Sequence, residues 1–446
     1  MSAQLLRQIR VIDPLSNGDQ MNDVLLIDGT IGAIAPHIHT YPDSTTIING
    51  SGLILGPGLV DLYSHSGEPG FEERETLDSL CRAAASGGFT RIALLPTTNP
   101  VIDSPSVVRY LNGIHRNLPP DLDGYPKPSL SIWGALTRSA QGEQLGELSE
   151  LATAGVVGFT DGQPLANGFL LPRILDYVQP LNLPIAFVPC DPRLTGGGVL
   201  REGALSTRLG LVPNPTIAET VAISTLIECV AAMATPIHLM RISTARGVFL
   251  IEQAQKQGLP ITASTSWLHL LFNETVIAGS PMNPAGSLPH LHTLMPYDPN
   301  LRLDPPLGNS NDQRALQTGV NEGVIQAVAI DHRPYTYEEK TIGFASAPPG
   351  AIGLELALPL LWESLVERGI WSALTLWYAL STAPARCLHQ LPPQVKAGFP
   401  SEFILFDPSV QWQVTSSSLQ SRSLNTVWRD RQIKGKVIPL SSLGCD

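Results

Sequence analysis

The sequence has no pair of cysteines at the Cys-x-x-Cys spacing that is typical of zinc sites and thiol–disulfide exchange proteins. Its five cysteines are odd in number and widely separated, which favours reduced intracellular thiols over a disulfide framework. No run approaches the roughly 20 apolar residues that a membrane helix needs. Residues 1–10 lack the apolar segment and the small-residue cleavage site of a signal peptide. We therefore expect a cytoplasmic protein without a membrane span.

An excess of positive charge is also absent. The 28 Lys and Arg residues are outnumbered by 39 Asp and Glu residues, so the formal net charge is −11. This balance gives no indication of a nucleic-acid partner or of an anionic membrane surface. Hydrophobic residues make up 43% of the 446 residues and charged residues only 15%. A chain of this length and composition can bury a large core, which argues against global disorder.

Both ends of the chain are rich in predicted strands. The predicted strands are residues 24–27, 31–35, 402–406, 411–414 and 432–439. The first two are joined by Asp28-Gly29, which is a hairpin-type turn. Because the middle of the chain has a different pattern, we expect residues 1–56 and 391–446 to meet and form one small β domain.

Residues 57–390 alternate between short apolar runs and helical segments such as 217–232 and 245–257. The apolar runs are residues 59–62, 91–95, 130–135, 156–159, 184–189, 236–240, 260–263 and 327–330. Strands that alternate with helices indicate a parallel sheet. About eight of them favour a closed (β/α)₈ barrel of the TIM type, and no Gly-x-Gly-x-x-Gly loop supports a dinucleotide-binding sheet instead. Functional residues are then expected at the carboxyl ends of the strands.

The residues at the end of the first barrel strand resemble a known family. Residues 61–70 read Asp-Leu-Tyr-Ser-His-Ser-Gly-Glu-Pro-Gly, and they resemble the Asp-Leu-His-x-His-x-Arg-Glu-Pro-Gly of dihydroorotases and related cyclic amidohydrolases. Alternate residues of a strand point the same way, so two His at this spacing can reach one metal. His65 keeps the second His position, whereas Tyr63 occupies the first, and Gly67 stands where the family has a substrate-binding Arg.

Further segments resemble the same family in the same order along the chain. They are residues 83–90, 96–100, 159–162, 202–203, 208–211 and 348–355. In the second of these, Thr97 stands where a substrate-contacting Asn is expected. The last, which contains Pro349 and Gly350, resembles the loop that closes over dihydroorotate. The resemblance covers nearly the whole chain and implies an amidohydrolase barrel with an attached β domain.

Three positions where the resemblance implies a metal-binding His carry other residues, namely Tyr63, Pro189 and Arg241. Residues 185–191 resemble a strand that ends His-Cys-Glu, with Pro189 in place of the His. Residues 236–245 resemble His-x-x-His-x-Ser-Thr-Ala, with Arg241 in place of the second His. Proline has no side chain that can bind a metal, and the guanidinium of an arginine keeps its positive charge at ordinary pH.

The last part of the barrel keeps one residue that the resemblance makes catalytic. The Asp-His-Arg-Pro-Tyr that begins at Asp331 resembles Asp-His-Ala-Pro-His, in which the Asp is a metal ligand and the general base. Tyr335 then replaces a substrate-contacting His. Asp304 and Gly308 likewise replace the Asn and Arg of an Asn-Pro-Pro-Leu-Arg segment.

The candidates for a residual metal site are therefore His65, Asp161 and Asp331. A hydrolytic zinc site needs about three protein ligands and an open position for water, and Arg241 would repel a divalent cation from the same space. We expect no catalytic metal, and an ion pair from Arg241 to Asp331 or to Asp161 in its place. The residual pocket is expected to include His65, Asp161, Arg241, His332, Pro349 and Gly350.

The histidines also have a structural interpretation. His65 and His332 can simply be hydrogen-bonded at strand ends, and His238 and His269 are more typical of packing beneath the site. Residues 289–292 contain another His-x-His in a Pro/Gly-rich excursion, so a relocated metal site there stays open as an alternative.

Two functions follow from the resemblance. The first is a catalytically inactive dihydroorotase-like protein of pyrimidine biosynthesis that acts as a structural or regulatory subunit. A homo-oligomer is expected in that case, and aspartate transcarbamoylase is a candidate partner because some family members assemble with it. The alternative is an active dihydroorotase, or a related cyclic amide hydrolase, with zinc at a remodelled site and Asp331 as the acid/base. The replaced ligands and substrate contacts favour the first.

Overall fold

The computed structural model describes residues 3–279, 294–398 and 402–442. The His-x-His segment at residues 289–292 and the fifth cysteine, Cys445, lie outside the described residues. The cysteines within them (Cys81, Cys190, Cys229 and Cys387) are all free thiols.

Strands occupy both ends of the chain and recur through its middle. They are β1 (Ala3–Asp13), β2 (Gly18–Ile27), β3 (Thr30–Ala35), β4 (Thr46–Asn49), β5 (Ile54–Pro57), β6 (Leu59–Val60), β7 (Phe89–Leu94), β8 (Asp121–Leu122), β9 (Tyr125–Pro126), β10 (Ser129–Gly134), β11 (Gly158–Phe159), β12 (Ala186–Phe187), β13 (Leu200–Arg201), β14 (Pro213–Asn214), β15 (Ile237–Leu239), β16 (Ile261–Ser266), β17 (Ala327–Ala329), β18 (Phe403–Gln413) and β19 (Gln432–Ile438).

Helices fill the intervals between the middle strands. They are α1 (Leu77–Ser86), α2 (Pro105–Asn117), α3 (Leu148–Thr153), α4 (Leu171–Val178), α5 (Ala204–Leu209), α6 (Ile217–Met233), α7 (Ala245–Lys256), α8 (Trp267–Leu271), α9 (Ser310–Asn321), α10 (Tyr337–Lys340), α11 (Ala357–Leu361), α12 (Ala373–Trp377) and α13 (Ala383–Cys387). None of the helices in the described residues combines the length and the apolar character that a membrane crossing needs.

The two ends of the chain share one seven-stranded sheet, as the sequence predicts. Its order is β19-β18-β5-β1-β2-β3, and β4 pairs with β1. The antiparallel pairing of β18 with β5, from Phe403 opposite Pro57 to Phe406 opposite Ile54, joins the C-terminal strands to the N-terminal ones. One detail of the prediction is wrong: residues 402–406 and 411–414 are not two strands. Most of both segments lies in the single strand β18 (Phe403–Gln413). Its pairing with β19 shifts register between Asp407 and Gln411, where a bulge interrupts the apolar pattern.

The turn between β2 and β3 follows directly from two residues. Ile27 pairs with Thr30, so Asp28 and Gly29 form a two-residue loop. Their φ angles are +48° and +76°, and a type I′ hairpin turn requires positive φ at both central positions, which Asp-Gly accepts readily. The hairpin predicted from this dipeptide is confirmed.

Eight parallel strands close into a barrel. β6, β7, β10 and β11 form one run, and β12, β15, β16 and β17 form the other. A bridge between Phe159 and Ile185 joins the two runs. The ring closes where the amide of Asp331 donates to the carbonyl of Tyr63 at 3.2 Å and the amide of His65 donates to the carbonyl of His332 at 2.8 Å. The predicted (β/α)₈ barrel is confirmed.

Side chains fill the barrel, so it is a packed core rather than a channel. The inward cluster contains several alanines together with Val60, Leu62, Tyr63, Trp133 and Met240. Small residues leave room for the large ring of Trp133, whose indole N–H donates to the carbonyl of Leu62 at 3.0 Å. The space for chemistry therefore lies above this packed layer, at the carboxyl ends of the strands.

Trp377 holds the barrel and the small β domain together. It is fully buried at 0% exposure, and its indole N–H donates to the carbonyl of Pro57 at 3.2 Å. Its ring meets those of Trp362 and Phe406 edge-on, with centroids 5.9 Å and 6.3 Å away. Since Phe406 belongs to β18, this aromatic cluster connects α12 to the sheet built from both termini.

Trp377→Ala is expected to lower the free energy of unfolding by about 3–5 kcal/mol, because it empties a large buried volume at this junction. The measurement is the apparent melting temperature. The matched control is Leu391→Ala at an exposed leucine (87%), where the change should stay within about 0.5 kcal/mol. Equal melting temperatures for the two variants would show that the aromatic cluster does not join the domains.

Candidate active site at the barrel mouth

A cavity of about 250 Å³ opens at the carboxyl ends of the barrel strands. Its walls include His65, Thr97, Arg241, Asp304, Arg333 and Tyr335. Its volume is below the roughly 300–1,000 Å³ of pockets for drug-sized ligands, so any guest is a small molecule. The position is the one where barrels of this kind carry their functional residues.

Arg241 lines this cavity and forms an ion pair with Asp331, which is not among the lining residues. Arg241 Nε donates to Asp331 Oδ2 at 2.8 Å, and Nη2 donates to Oδ1 at 2.7 Å, which makes a two-point ion pair. The remaining nitrogen, Nη1, donates to the carbonyl of Gly162 at 2.8 Å. Burial alone would raise the pKa of Asp331, but the charges of Arg241 and Arg333 outweigh it and hold this pKa well below the usual range. Asp331 is therefore a carboxylate whose two oxygens are both engaged.

Both partners of the ion pair have unusual backbones. The φ angle is +55° at Arg241 and +48° at Asp331, and a left-handed backbone costs a residue with a side chain about 1–3 kcal/mol unless the surroundings fix it. Tyr63 supplies part of that support, because its hydroxyl accepts the amide of Arg241 at 3.1 Å and its carbonyl accepts the amide of Asp331 at 3.2 Å.

Tyr63 is a neutral, buried phenol rather than a metal ligand. It is 0% exposed, and burial followed by the charge of Asp331 raises its pKa. The Tyr63 hydroxyl also shares a hydrogen bond of 3.0 Å with Ser264 Oγ. Ser264 in turn contacts His238 Nε2 at 2.8 Å, deeper in the barrel. His238 thus lies beneath the site, and burial lowers its pKa to about 3.

His65 stands at the cavity wall with its Nε2 facing two guanidinium groups. Arg333 Nε donates to this nitrogen at 2.9 Å, and Arg241 Nη2 lies 3.4 Å from it. Burial and then the charge of Arg333 lower the pKa of His65 to about 3, so the ring is neutral. Asp331 Oδ1 is also near Nε2, at 3.5 Å, but the Arg333 donor is closer. The ring proton is therefore assigned to Nδ1, which lies 2.7 Å from Thr97 Oγ1. The lone pair that could bind a metal is already an acceptor.

Pro189 and Asp161 face away from this centre. Pro189 lines a neighbouring cavity of about 110 Å³, together with Phe187 and Cys190. Asp161 accepts from the amide and the hydroxyl of Thr137, at 2.9 Å and 2.7 Å. Of the two ion-pair partners that the sequence allows for Arg241, the structure therefore places Asp331 in contact and turns Asp161 to another neighbour.

His332, Pro349 and Gly350, which the sequence places in the residual pocket, are not among the residues that line the cavity at the barrel mouth. His332 is 1% exposed, with Nδ1 accepting from the amide of Gly353 at 3.2 Å and Nε2 lying 3.4 Å from Glu75 Oε2. The carbonyl of Pro349 accepts from Arg333 Nη1 and from the hydroxyl of Tyr335, both at 3.2 Å. The loop thus packs directly on Arg333. At Gly350, whose φ is +126°, a β-carbon would lie only 2.4 Å from Arg333 Cδ.

Arg333 is the site residue that sequence reasoning missed. It lies within the motif that begins at Asp331, at a position where the resembling family has Ala, and that difference was the available signal. Only the fold shows its consequence, because Arg333 reaches from the end of β17 to His65, which follows β6. A change from a methyl group to a guanidinium at this wall adds a permanent positive charge.

The residues present do not fit a catalytic zinc ion. Such an ion needs about three protein ligands, and no group of three His, Cys, Asp or Glu side chains within residues 3–279, 294–398 and 402–442 is arranged to hold a metal. Asp161 is turned to Thr137, Asp331 is engaged by Arg241, and the Nε2 of His65 is engaged by Arg333. Two guanidinium groups also make this space unfavourable for a divalent cation.

The substrate-binding Arg of the resembling family also has no room at its position. A β-carbon on Gly67 would lie 2.3 Å from the carbonyl oxygen of Glu75 and 2.4 Å from that of Phe71. Real β-carbons do not approach backbone atoms so closely, so any side chain here would require the 67–75 segment to move. The local backbone therefore excludes an Arg side chain at position 67.

Comparisons with known proteins agree with the fold and the motifs. A profile described as dihydro-orotase-like matches residues 52–246. A probable dihydroorotase-like protein from Synechocystis sp. is 43% identical over 457 aligned residues, covering 99% of this chain and 100% of that protein. A dihydroorotase from Pelotomaculum thermopropionicum is 33% identical, covering 97% of this chain and 95% of that protein.

Among solved structures, the L-hydantoinase (dihydropyrimidinase) from Arthrobacter aurescens is similar with a TM-score of 0.79 and 20% identity, covering 99% of this chain and 96% of that one. The closed barrel with its attached β domain is thus the fold of the amidohydrolases. Within that class, the chain belongs to the dihydroorotase-like family.

Breaking the Arg241–Asp331 pair from either side is expected to cost about 3–5 kcal/mol of unfolding free energy, because the remaining charge stays mostly buried and unpaired. The variants are Arg241→Met and Asp331→Asn, since Asn accepts a left-handed backbone. The double variant should be less unstable than the sum of the single effects. The measurement is a double-mutant cycle on melting curves at neutral pH.

The control for this cycle is Arg138→Met, which removes a pair to Glu147 whose side chains are 61% and 60% exposed. Its effect should stay within about 0.5 kcal/mol. Strictly additive effects of Arg241→Met and Asp331→Asn would show that the two residues do not stabilise each other.

Proposed function

We propose that this protein is a dihydroorotase-like protein of pyrimidine metabolism that has lost hydrolytic activity and acts as a structural or regulatory homologue. The single observation that carries this proposal is the two-point ion pair of Arg241 with Asp331 at the barrel mouth. In the resembling family the first position is a metal-binding His and the second is a metal ligand and the general base. In this chain the Arg241 guanidinium binds both oxygens of Asp331, so neither residue is available to a metal ion.

The chemistry of cyclic amide hydrolysis explains why this exchange matters. A bound metal lowers the pKa of its water from 15.7 to about 7, which supplies hydroxide at neutral pH. A guanidinium cannot deliver hydroxide, because it has neither an open coordination position nor a lone pair. Asp331 is also a poor base, because Arg241 and Arg333 hold its pKa well below the usual range.

The alternative is an active cyclic amide hydrolase with a remodelled centre, in which His65, Asp161 and Asp331 would hold one zinc ion and Asp331 would act as the acid/base. The match to dihydroorotases at about one-third identity favours it. It would require Arg241 and Arg333 to leave the cavity and Asp161 to turn away from Thr137. The proposal of an inactive homologue needs no such movement.

Purified protein is expected to contain substoichiometric zinc and to show no turnover of dihydroorotate. The test pairs elemental analysis with a dihydroorotate hydrolysis assay in the presence and absence of added zinc. Near-stoichiometric zinc together with turnover would establish the alternative and overturn the proposal.

Restoring the three lost His residues should not be sufficient to recover zinc binding. In the variant Tyr63→His, Pro189→His, Arg241→His, the Nε2 of His65 would still accept from Arg333. Adding Arg333→Ala should free this lone pair and give tighter zinc binding, measured by titration with a zinc-competing dye. The matched control adds Arg138→Ala instead. Equal zinc affinity with Arg333→Ala and with Arg138→Ala would show that Arg333 does not block the site.

The proposed structural role includes a homo-oligomer in the cytoplasm and, as a candidate partner, aspartate transcarbamoylase. We expect a particle larger than one chain on size-exclusion chromatography with light scattering, and a further shift when aspartate transcarbamoylase from the same organism is added. A monodisperse single chain that leaves the elution of the transcarbamoylase unchanged would remove this part of the proposal.

A further inference from the structure

A second cavity, of about 530 Å³, lies beside the barrel mouth and is lined by α10 and by residues 422–429, between β18 and β19. We call it the α10 cavity. Tyr335 lines both this cavity and the one at the barrel mouth, so the two are neighbours. The volume falls within the roughly 300–1,000 Å³ that is usual for pockets of small organic ligands.

Lys340 brings a buried positive charge to the α10 cavity. The residue is only 7% exposed, and its ammonium donates to the carbonyls of Pro299 at 3.0 Å and Pro348 at 2.7 Å. Both acceptors are uncharged, and no carboxylate in residues 3–279, 294–398 and 402–442 forms an ion pair with this ammonium. Buried charges are normally paired, because burial of an unpaired ionised group is costly. An ammonium has three donors, so one is available to a ligand of the cavity.

Neighbouring arginines increase the need for a negative charge at Lys340. Burial, followed by the charges of Arg333 and then Arg302, lowers the pKa of Lys340 to about 7. The carboxylates of Asp298 and Glu339 act in the opposite direction and are outweighed. A bound anion would offset this repulsion and keep the ammonium protonated.

Two exposed arginines add positive charge to the same cavity. Arg422 Nη1 donates to the carbonyl of Glu72 at 2.9 Å, which orients the guanidinium, and no ion pair joins Arg422 to a carboxylate in the part of the chain that the structure describes. Arg429 forms an exposed pair with Asp430 at 3.5 Å. A phosphate monoester offers three acceptor oxygens and about −1.5 to −2 charges, which suits a lysine ammonium and an arginine fork together.

Two carboxylates also line the cavity and oppose an anion. Glu73 and Glu338 are both exposed, so water and salt screen their charges. The charge of Lys340 is buried and is screened much less. Close to Lys340, the positive charge therefore outweighs the two glutamates.

Tyr337 supplies an aromatic surface beside these cations. It lines the α10 cavity and is 65% exposed. The Arg429 guanidinium lies 5.8 Å from the centroid of the Tyr337 ring and helps to hold its orientation. Exposed aromatic rings stack readily on the flat faces of nucleic-acid bases. The cavity thus combines a site for phosphate with a surface for a base.

We propose that the α10 cavity binds a nucleoside monophosphate, with the phosphate held by Lys340 and Arg422 and the base stacked on Tyr337. None of these three residues stands at a position where the resembling family has a metal ligand or a substrate contact. The inference goes beyond the proposed function, because the site requires neither the loss nor the presence of hydrolytic activity.

Adenosine 5′-monophosphate, ribose 5-phosphate and adenosine are suitable probes, because they carry both parts, the phosphate without the base and the base without the phosphate. Binding is measured by isothermal titration calorimetry on the full-length protein. The monophosphate should bind about 10- to 100-fold more tightly than adenosine, as expected for charge-assisted hydrogen bonds. It should also bind about 10-fold more tightly than ribose 5-phosphate, because only the monophosphate carries a base that can stack.

Three variants test the separate parts of the site. Lys340→Met keeps the aliphatic stem and should weaken binding of the monophosphate about 10-fold or more, while leaving adenosine unaffected. Arg422→Gln, at an exposed position, should weaken it in the same direction without touching a buried group. Tyr337→Ala should reduce the affinity for the monophosphate to that for ribose 5-phosphate. Circular dichroism and melting curves establish that each variant is folded.

Two control variants locate the bound ligand. Arg138→Gln removes an exposed positive charge elsewhere on the chain. Thr97→Val changes the wall of the cavity at the barrel mouth. Both should leave binding of the monophosphate unchanged, and a loss of binding in Thr97→Val alone would place the ligand at the barrel mouth and overturn the inference.

The remaining outcomes separate this inference from the proposed function. Equal binding of adenosine and its monophosphate, no binding of the monophosphate at millimolar concentration, or binding that is insensitive to both Lys340→Met and Arg422→Gln would overturn the inference and leave the proposed function standing. Binding of ribose 5-phosphate as tight as that of the monophosphate would overturn the role of Tyr337 and identify a sugar phosphate as the ligand. Turnover of dihydroorotate combined with nucleotide binding that depends on Lys340 would overturn the proposed function and leave the nucleotide site standing.

Discussion

The ion pair between Arg241 and Asp331 is the interaction on which the rest of the barrel mouth depends. It joins the ends of two barrel strands and fixes two residues whose backbones are left-handed. Tyr63 supports both of them, since its hydroxyl and its carbonyl accept their amides. With Asp331 engaged, Arg333 makes its closest contact with the neutral ring of His65 instead. The pairing thus keeps Asp331 ionised and both of its oxygens engaged.

The architecture was largely predictable because it rests on periodicity. Eight short apolar runs separated by helices indicate a parallel barrel whatever their exact limits, and each run contains or overlaps one of the eight barrel strands. The limits themselves were less predictable. Residues 184–189 were expected as a strand, yet only Ala186–Phe187 form one, because the proline at each end restricts regular pairing. The bulge in β18 was missed since it depends on pairing with β19 rather than on local pattern.

The candidate site was predictable only in part, because sequence gives the residues at strand ends but not the directions of their side chains. Arg241, Asp331 and His65 do lie together. Asp161 belongs to the same set by motif, yet it turns to Thr137, whose backbone and hydroxyl offer two hydrogen bonds at once. Arg333 could be seen as an unusual residue in its motif. Its contact with His65 spans 268 positions in sequence and required the closed ring to be known.

Gly67 limits which side chains this part of the barrel mouth can carry. Because the carbonyl oxygens of Glu75 and Phe71 lie where a β-carbon would be, a single substitution cannot place an Arg at this position without rearranging the segment that leads into α1. Side chains elsewhere on the cavity wall can be exchanged without this difficulty, whereas any side chain at position 67 requires the backbone of residues 67–75 to move first.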